Sequence, residues 1–137
     1  MLNSSIKLNR NIFLTNNFKL GELTVRSGEQ GAFITDLTTE HFINLVRLAD
    51  RLQRLRDIYG APILVNSGYR TAEHNRQIGG AVSSRHITGE AADIRGADLD
   101  KLYELAEQRG MFGGIGDGRN RGFIHVDIRP NRSRWSY

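Results

Sequence analysis

Cysteine is absent from the 137-residue chain. That excludes disulfides and thiolate metal sites, so any metal ion must be held by His, Asp or Glu. Also missing is any stretch near the roughly 20 consecutive apolar residues that a membrane span requires. Residues 1–10 lack the apolar block of a secretory signal, so the chain is expected to be made in the cytoplasm and to have no membrane partner. No internal repeat or low-complexity linker divides it. With 39% hydrophobic residues over 137 positions, it can bury one core and is too short for two ordinary domains. A single domain over 1–137, acting as a monomer, is expected.

Charge is present on both signs, with 19 Lys and Arg against 15 Asp and Glu, a net of +4. This favours an anionic partner without choosing one. The basic residues are scattered, and the densest run, residues 47–56, has the spacing of a helix's wet face. Because the arginines are neither clustered with aromatics nor followed by a groove-reading motif, no nucleic-acid partner is expected.

Residues 1–35 show no long helical period. The stretch Asn16 to Leu23, followed by Ser27-Gly28-Glu29-Gln30-Gly31, reads as an irregular, turn-rich opening segment ahead of a core over 36–130. From Thr38 the pattern changes: Phe42, Leu45, Val46, Ala49, Leu52, Leu55 and Tyr59 recur at three- and four-residue steps, which predicts an amphipathic helix. Thr38 is its N-cap, and Gly60 with Pro62 its stop. Residues 63–65 read as a short buried strand leading into Ser67-Gly68-Tyr69-Arg70, and a brief helix follows over 71–78. Residues 91–94 suit a core strand, Asp98 caps a second amphipathic helix, and Gly113-Gly114-Ile115-Gly116 suits a strand whose backbone is closely approached. The last strand is 123–128. Short strands between helices of unequal length predict an α+β domain on a small, mostly antiparallel sheet flanked by helices.

Some polar residues sit where an apolar strand belongs. Asp93 lies between Ala92 and Ile94, and burying a lone carboxylate there is costly unless a cation or several donors compensate it. In 123–128 the alternation puts Ile124, Val126 and Ile128 on one face and Phe123, His125 and Asp127 on the other. If His86, seven residues before Asp93, converges with Asp93 and His125, two imidazoles and a carboxylate surround one divalent ion with a fourth position open to water. Such a set is what a catalytic zinc requires. His41 and His74 lie on predicted helices without a partnering carboxylate strand and receive no site role.

These residues carry a resemblance. Ser84-Arg85-His86-Ile87-Thr88-Gly89-Glu90-Ala91-Ala92-Asp93 resembles the Ser-x-His-x-x-Gly-x-Ala-x-Asp signature of the zinc D-Ala-D-Ala carboxypeptidase and L-alanyl-D-glutamate endopeptidase family. His125-Val126-Asp127 resembles its second signature, and Ser67-Gly68-Tyr69-Arg70 with His74-Asn75 the segment ahead of the first. The resemblance implies a Hedgehog/DD-peptidase-like fold and one Zn2+ bound by His86, Asp93 and His125. It implies a substrate in the peptide stems or cross-links of bacterial peptidoglycan. Arg70 would hold the substrate carbonyl or carboxylate and stabilise the oxyanion, with Tyr69 and Ser84 beside it on the substrate side. Several branches of the family place the general base three residues before the last zinc histidine, where this chain has Gly122. The base is therefore expected to be Asp127, with Asp117 a weaker candidate, unless Asp127 instead orients a ligand. A phage endolysin or virion-associated lysin fits the basic, cysteine-free chain. The competing reading is a zinc-binding but catalytically silent wall-binding or structural module. Loops around Arg85, Arg119 and Trp135 are expected to shape substrate choice.

Overall fold

A computed structural model describes residues 5–24, 33–108 and 110–137; the segment Ser27-Gly28-Glu29-Gln30-Gly31 lies outside them. The long helix α2 (Thr39–Tyr59) starts where Thr38 Oγ1 accepts the His41 backbone N–H at 3.1 Å. It stops at Gly60, whose φ of +74° is readily adopted only by glycine and whose N–H reaches the Arg56 carbonyl. Its buried stripe is Leu45, Leu48, Ala49, Leu52, Leu55 and Tyr59. Leu48 takes the place expected for Val46, which is exposed. Steps of three and four from Leu45 land on 48 and 52, whereas 46 is turned roughly 100° away. Each fully buried leucine contributes roughly 1.5–3 kcal/mol of apolar burial.

The main sheet has five strands: β3 (Leu64–Ser67), β4 (Ala91–Arg95), β5 (Gly114–Gly118), β6 (Phe123–Asp127) and β7 (Ser133–Ser136). Their order is β3-β4-β6-β5-β7. All neighbours are antiparallel except β5 and β7. The expected α+β architecture on a mostly antiparallel sheet is thus the one observed. Three differences stand out. Residues 63–65 were expected to form a buried strand, but β3 is an edge strand that leaves Leu64 45% exposed, while Ile63 is buried just before it. Strand β7 follows the strand expected to be last. The opening segment holds β1 (Ser5–Asn9), antiparallel to β2 (Phe33–Thr38), and the helical turn α1 (Leu20–Leu23). Phe18, Leu20 and Leu23 are buried there, and that burial fixes a segment without a period long enough to read.

Ala92, Ile94, Ile115, Ile124 and Val126 form one face of the sheet, buried in the core with α2 and with Leu102 and Ala106 of α4 (Leu99–Gln108), the helix that follows the short α3 (Ala72–Gln77). The opposite face carries the polar residues. Register places Ser67 opposite Asp93, Asp93 opposite His125, His125 opposite Gly116, and Gly116 opposite Trp135. Directly paired residues point to the same face, so one row crosses all five strands. No helix of the described residues is long and apolar enough to cross a membrane.

Candidate metal centre

Asp93 and His125 stand side by side in that row, and His125 Nδ1 lies 3.0 Å from Asp93 Oδ1. His86 arrives from the loop before β4. Its ring is aimed by the Gly68 carbonyl, which accepts from Nδ1 at 2.8 Å and leaves Nε2 at 3.3 Å from the same Asp93 oxygen. Both imidazoles are buried, 3% exposed for His86 and 5% for His125. The expected trio therefore converges, with ligand atoms within 4.8 Å of one another. An ion held tetrahedrally at about 2.0–2.1 Å, the dimension zinc prefers, keeps its donors about 3.3 Å apart. The two spacings to Asp93, 3.0 and 3.3 Å, lie close to that requirement.

Electrostatics support a cation at this point. Burial alone would raise the Asp93 carboxyl, yet hydrogen bonds and charge from His125 and His86 hold it well below the usual carboxylate range. His125 behaves conversely. Burial pulls it down, but Asp127 and Asp93 on its two sides outweigh that and raise it. An imidazolium satisfies both carboxylates when no ion is bound; an ion at Nδ1 would take the place of one proton.

Asp127 shares the His125 face, as the alternation requires, but its geometry differs from that of a proton shuttle. It is fully buried. Its Oδ2 accepts from His125 Nε2 at 2.7 Å and from Arg129 Nη2 at 2.7 Å, and its Oδ1 accepts from Arg129 Nε at 2.7 Å and the Arg129 backbone N–H at 3.2 Å. Burial favours the neutral acid, but these donors keep it ionised. A carboxylate so placed fixes the tautomer and the ring plane of a metal-binding histidine. Gly114, paired with Asp127 across β5 and β6, makes room for it: a Cβ there would lie 2.3 Å from both carboxylate oxygens. Gly116 does the same in the next row. The Trp135 ring passes over it to pack on His125, centroids 5.0 Å apart, where a Cβ would meet Trp135 Nε1 at 2.6 Å.

Arg70 lies beside the trio. Its Nη2 is 3.5 Å from Asp93 Oδ2, while Nε donates to Ser67 Oγ and Nη1 to Asn75 Oδ1. Asn75 is itself anchored on the Ala81 carbonyl. Burial lowers the guanidinium from its ordinary value and Asp93 opposes that shift; an arginine stays cationic throughout. Arg70, Ser84, Arg85 and Trp135 all line a cavity of about 650 Å³ that His86, Asp93 and His125 line as well. Ser84 also aims the loop, its Oγ accepting the His86 backbone N–H.

Other expected site residues lie elsewhere. Tyr69 is buried against the His41 ring and is not part of the cavity wall. Its backbone N–H is tied to the Leu23 carbonyl at 2.7 Å, which turns the side chain into the core. Asp117 pairs with Ile124, on the opposite face from His125, and is bound to Arg119. It does not line the cavity. Arg119, anchored on Asp117 and Asp100, belongs to a separate surface hollow. Gly122, three residues before His125, has a φ of +84° at the end of a 3-10 turn (Arg119–Arg121). The local backbone there disfavours any acidic side chain.

Two imidazoles and one carboxylate, each oriented by a further hydrogen bond and opening onto a cavity, form a group that could hold one metal ion with three protein donors, the kind of set that leaves a corner for solvent. The chain belongs to the Peptidase M15 family, whose model matches residues 16–127. It is similar to the zinc D-Ala-D-Ala carboxypeptidase of Streptomyces albus G, 38% identical over 77 residues that make up 56% of this chain and 26% of that protein. It is also similar to the peptidoglycan L,D-endopeptidase MepK of Escherichia coli K12, 33% identical over 94 residues, 62% of this chain and 51% of the relative. The probable peptidoglycan L,D-endopeptidase MepK of Haemophilus influenzae is 38% identical over 97 residues, 66% of this chain and 52% of the relative. The chain thus spans between about a quarter and half the length of these curated relatives.

Proposed function

We propose that this chain is a zinc-dependent peptidase that hydrolyses peptide bonds in the stems or cross-links of bacterial peptidoglycan. The observation that carries the reading is the convergence of His86, Asp93 and His125 in the wall of a cavity that Arg70 also lines. A zinc ion held there would supply a water of lowered pKa and a Lewis acid for the scissile carbonyl. The protein's part is orientation and charge. His86 would bind through Nε2 because Gly68 occupies Nδ1, and His125 through Nδ1 because Asp127 occupies Nε2. Arg70, held by Ser67 and Asn75, presents a fixed cation to the substrate carbonyl or carboxylate and to the oxyanion that develops. Asp127 acts as the positioning partner of His125, since its oxygens face Arg129 and the imidazole and not the cavity. Gly79, Gly80, Ala81, Ser83 and Ser84, all small, also line the cavity, leaving room for a peptide. A role as a phage or prophage lysin draws support from the net charge of +4, which suits an anionic wall.

A second reading, a zinc-holding wall-binding or structural module without turnover, has one observation in its favour. Among the described residues, the carboxylate lining the cavity is Asp93, itself a candidate ligand. Digestion of defined peptidoglycan with zinc-loaded protein, followed by mass spectrometry of released fragments, separates the two. New amino groups and a single fragment pattern, both abolished by a chelator, are expected of the peptidase. Stoichiometric zinc with no fragments would establish the silent module.

A further inference from the structure

Four arginines line the metal cavity: Arg70, Arg85, Arg121 and Arg129. Three of them face acids of the protein. Arg70 meets Asp93 at 3.5 Å, Arg85 meets Glu90 at 3.5 Å, and Arg129 clasps Asp127 at 2.7 Å. Arg121 differs. It has no acidic partner among the described residues, and its contact is aromatic: the guanidinium carbon sits 5.9 Å from the centroid of the Tyr137 ring. That ring packs in turn on Phe123, centroids 4.9 Å apart, and all three side chains line the cavity. An arginine resting on an aromatic face keeps its donor edge free for a planar anion.

The topology sets Arg121 opposite Arg70. Strands β3 and β6 are both antiparallel to β4 and so run the same way. Arg70 follows β3, while Arg121 precedes β6, so the two approach the row of Asp93 and His125 from opposite ends of the strands. The turn that delivers Arg121 closes at Gly122, whose φ of +84° fixes the chain's direction into β6. A peptide lying across the metal-binding atoms would therefore meet a cation on each side.

Resting on the peptidase reading above, we propose that Arg121, backed by Tyr137, is a carboxylate-binding subsite of this cavity. The preferred substrates are then stem peptides that present a free carboxylate on the side of the scissile bond away from Arg70. A charge-assisted hydrogen bond to an exposed guanidinium at the cavity's edge accounts for such a preference, and a stem peptide offers several carboxylates while its amidated counterpart offers fewer.

The test compares zinc-loaded wild type, Arg121→Gln and Arg121→Lys on two synthetic stem peptides, one with free carboxylates and one amidated at those positions. Wild type should favour the free-carboxylate peptide. Arg121→Gln should raise its KM about 3- to 10-fold, the order of one charged hydrogen bond at an exposed arginine, with kcat within about two-fold and zinc content unchanged. The amidated peptide should barely respond, and Arg121→Lys should fall between. Equal KM changes for both peptides, or none for either, would overturn the subsite. If wild type cleaves neither peptide, the peptidase reading fails by itself. Calorimetric binding of the same two peptides to zinc-loaded protein then judges Arg121: a carboxylate preference erased in Arg121→Gln upholds the subsite, and equal binding removes it.

Discussion

Substituting Asn for Asp127 exchanges one carboxylate oxygen for an NH2 group where nothing can move aside, because the side chain is fully buried. Four donors converge on its two oxygens, three from Arg129 and one from His125. The amide can accept on one side only, and its own N–H bonds point at donors on the other. Hydrogen bonds to charged groups contribute about 1.5–3 kcal/mol each. Arg129 is 24% exposed on its side chain and recovers water, so a net loss of about 2–4 kcal/mol is expected. That corresponds to a melting temperature lower by on the order of 10 °C. With the His125 ring no longer fixed, zinc affinity should fall about 10–100-fold. At saturating zinc the loss in kcat/KM should stay below about 10²-fold, whereas removing a general base costs about 10²–10⁴-fold. Melting curves, competition with a chromophoric chelator and kcat/KM at saturating zinc measure the three quantities. Unchanged melting and zinc affinity with a 10³-fold kinetic loss would make Asp127 the base and refute its role as a positioning residue.

Gly114→Ala should reproduce much of this phenotype from the backbone side, since its Cβ would intrude to 2.3 Å from the Asp127 oxygens. The same chelator competition should show weakened zinc binding, and full affinity would mean that Asp127 does not orient His125. Arg70→Ala should retain zinc, by metal analysis, and lose about 10²–10³-fold in kcat/KM, the order for removing one oxyanion donor; loss of the metal would reassign Arg70 to holding Asp93. The metal-free protein should show a pH window. Raised His125 stabilises below its unfolded value near 6.5 and loses that contribution as pH climbs through its higher folded value, while depressed Asp93 and Asp127 stabilise above about 4 and lose theirs as pH falls. Melting temperature should therefore peak between about pH 4 and 6.5 without zinc, and zinc affinity should keep rising above 6.5 as His125 gives up its proton; an affinity flat from pH 6 to 8 would contradict this.

Local rules reach some parts of this molecule and not others. Strand alternation places His125 and Asp127 on one face, and an acid set between Ala92 and Ile94 in a core strand points to a cation, because both follow from a two-residue period. Helix α2 is legible from its caps and its three- and four-residue steps. What Asp127 does is not legible, since it depends on Arg129 folding back two residues later, a curl without a periodic signature. Strand β7 is hidden for another reason: Ser133, Arg134 and Ser136 surround Trp135, so no face carries an apolar pattern, and its pairing with β5 is long-range. The glycines at 114 and 116 hint at close approach, but only the register shows that Asp127 and Trp135 are what approach them. Tyr69 misleads because adjacency to Arg70 in sequence says nothing of the Leu23 carbonyl that turns it inward.

The proposed hydrolysis depends on one ion bound by three protein atoms. A crystal structure of the zinc-soaked protein, with anomalous maps on both sides of the zinc edge, tests this directly. A single peak about 2.0–2.2 Å from His86 Nε2, Asp93 Oδ1 and His125 Nδ1, with solvent as its remaining neighbour, is the predicted result. A peak elsewhere, or one closed by a fourth protein donor, would contradict it.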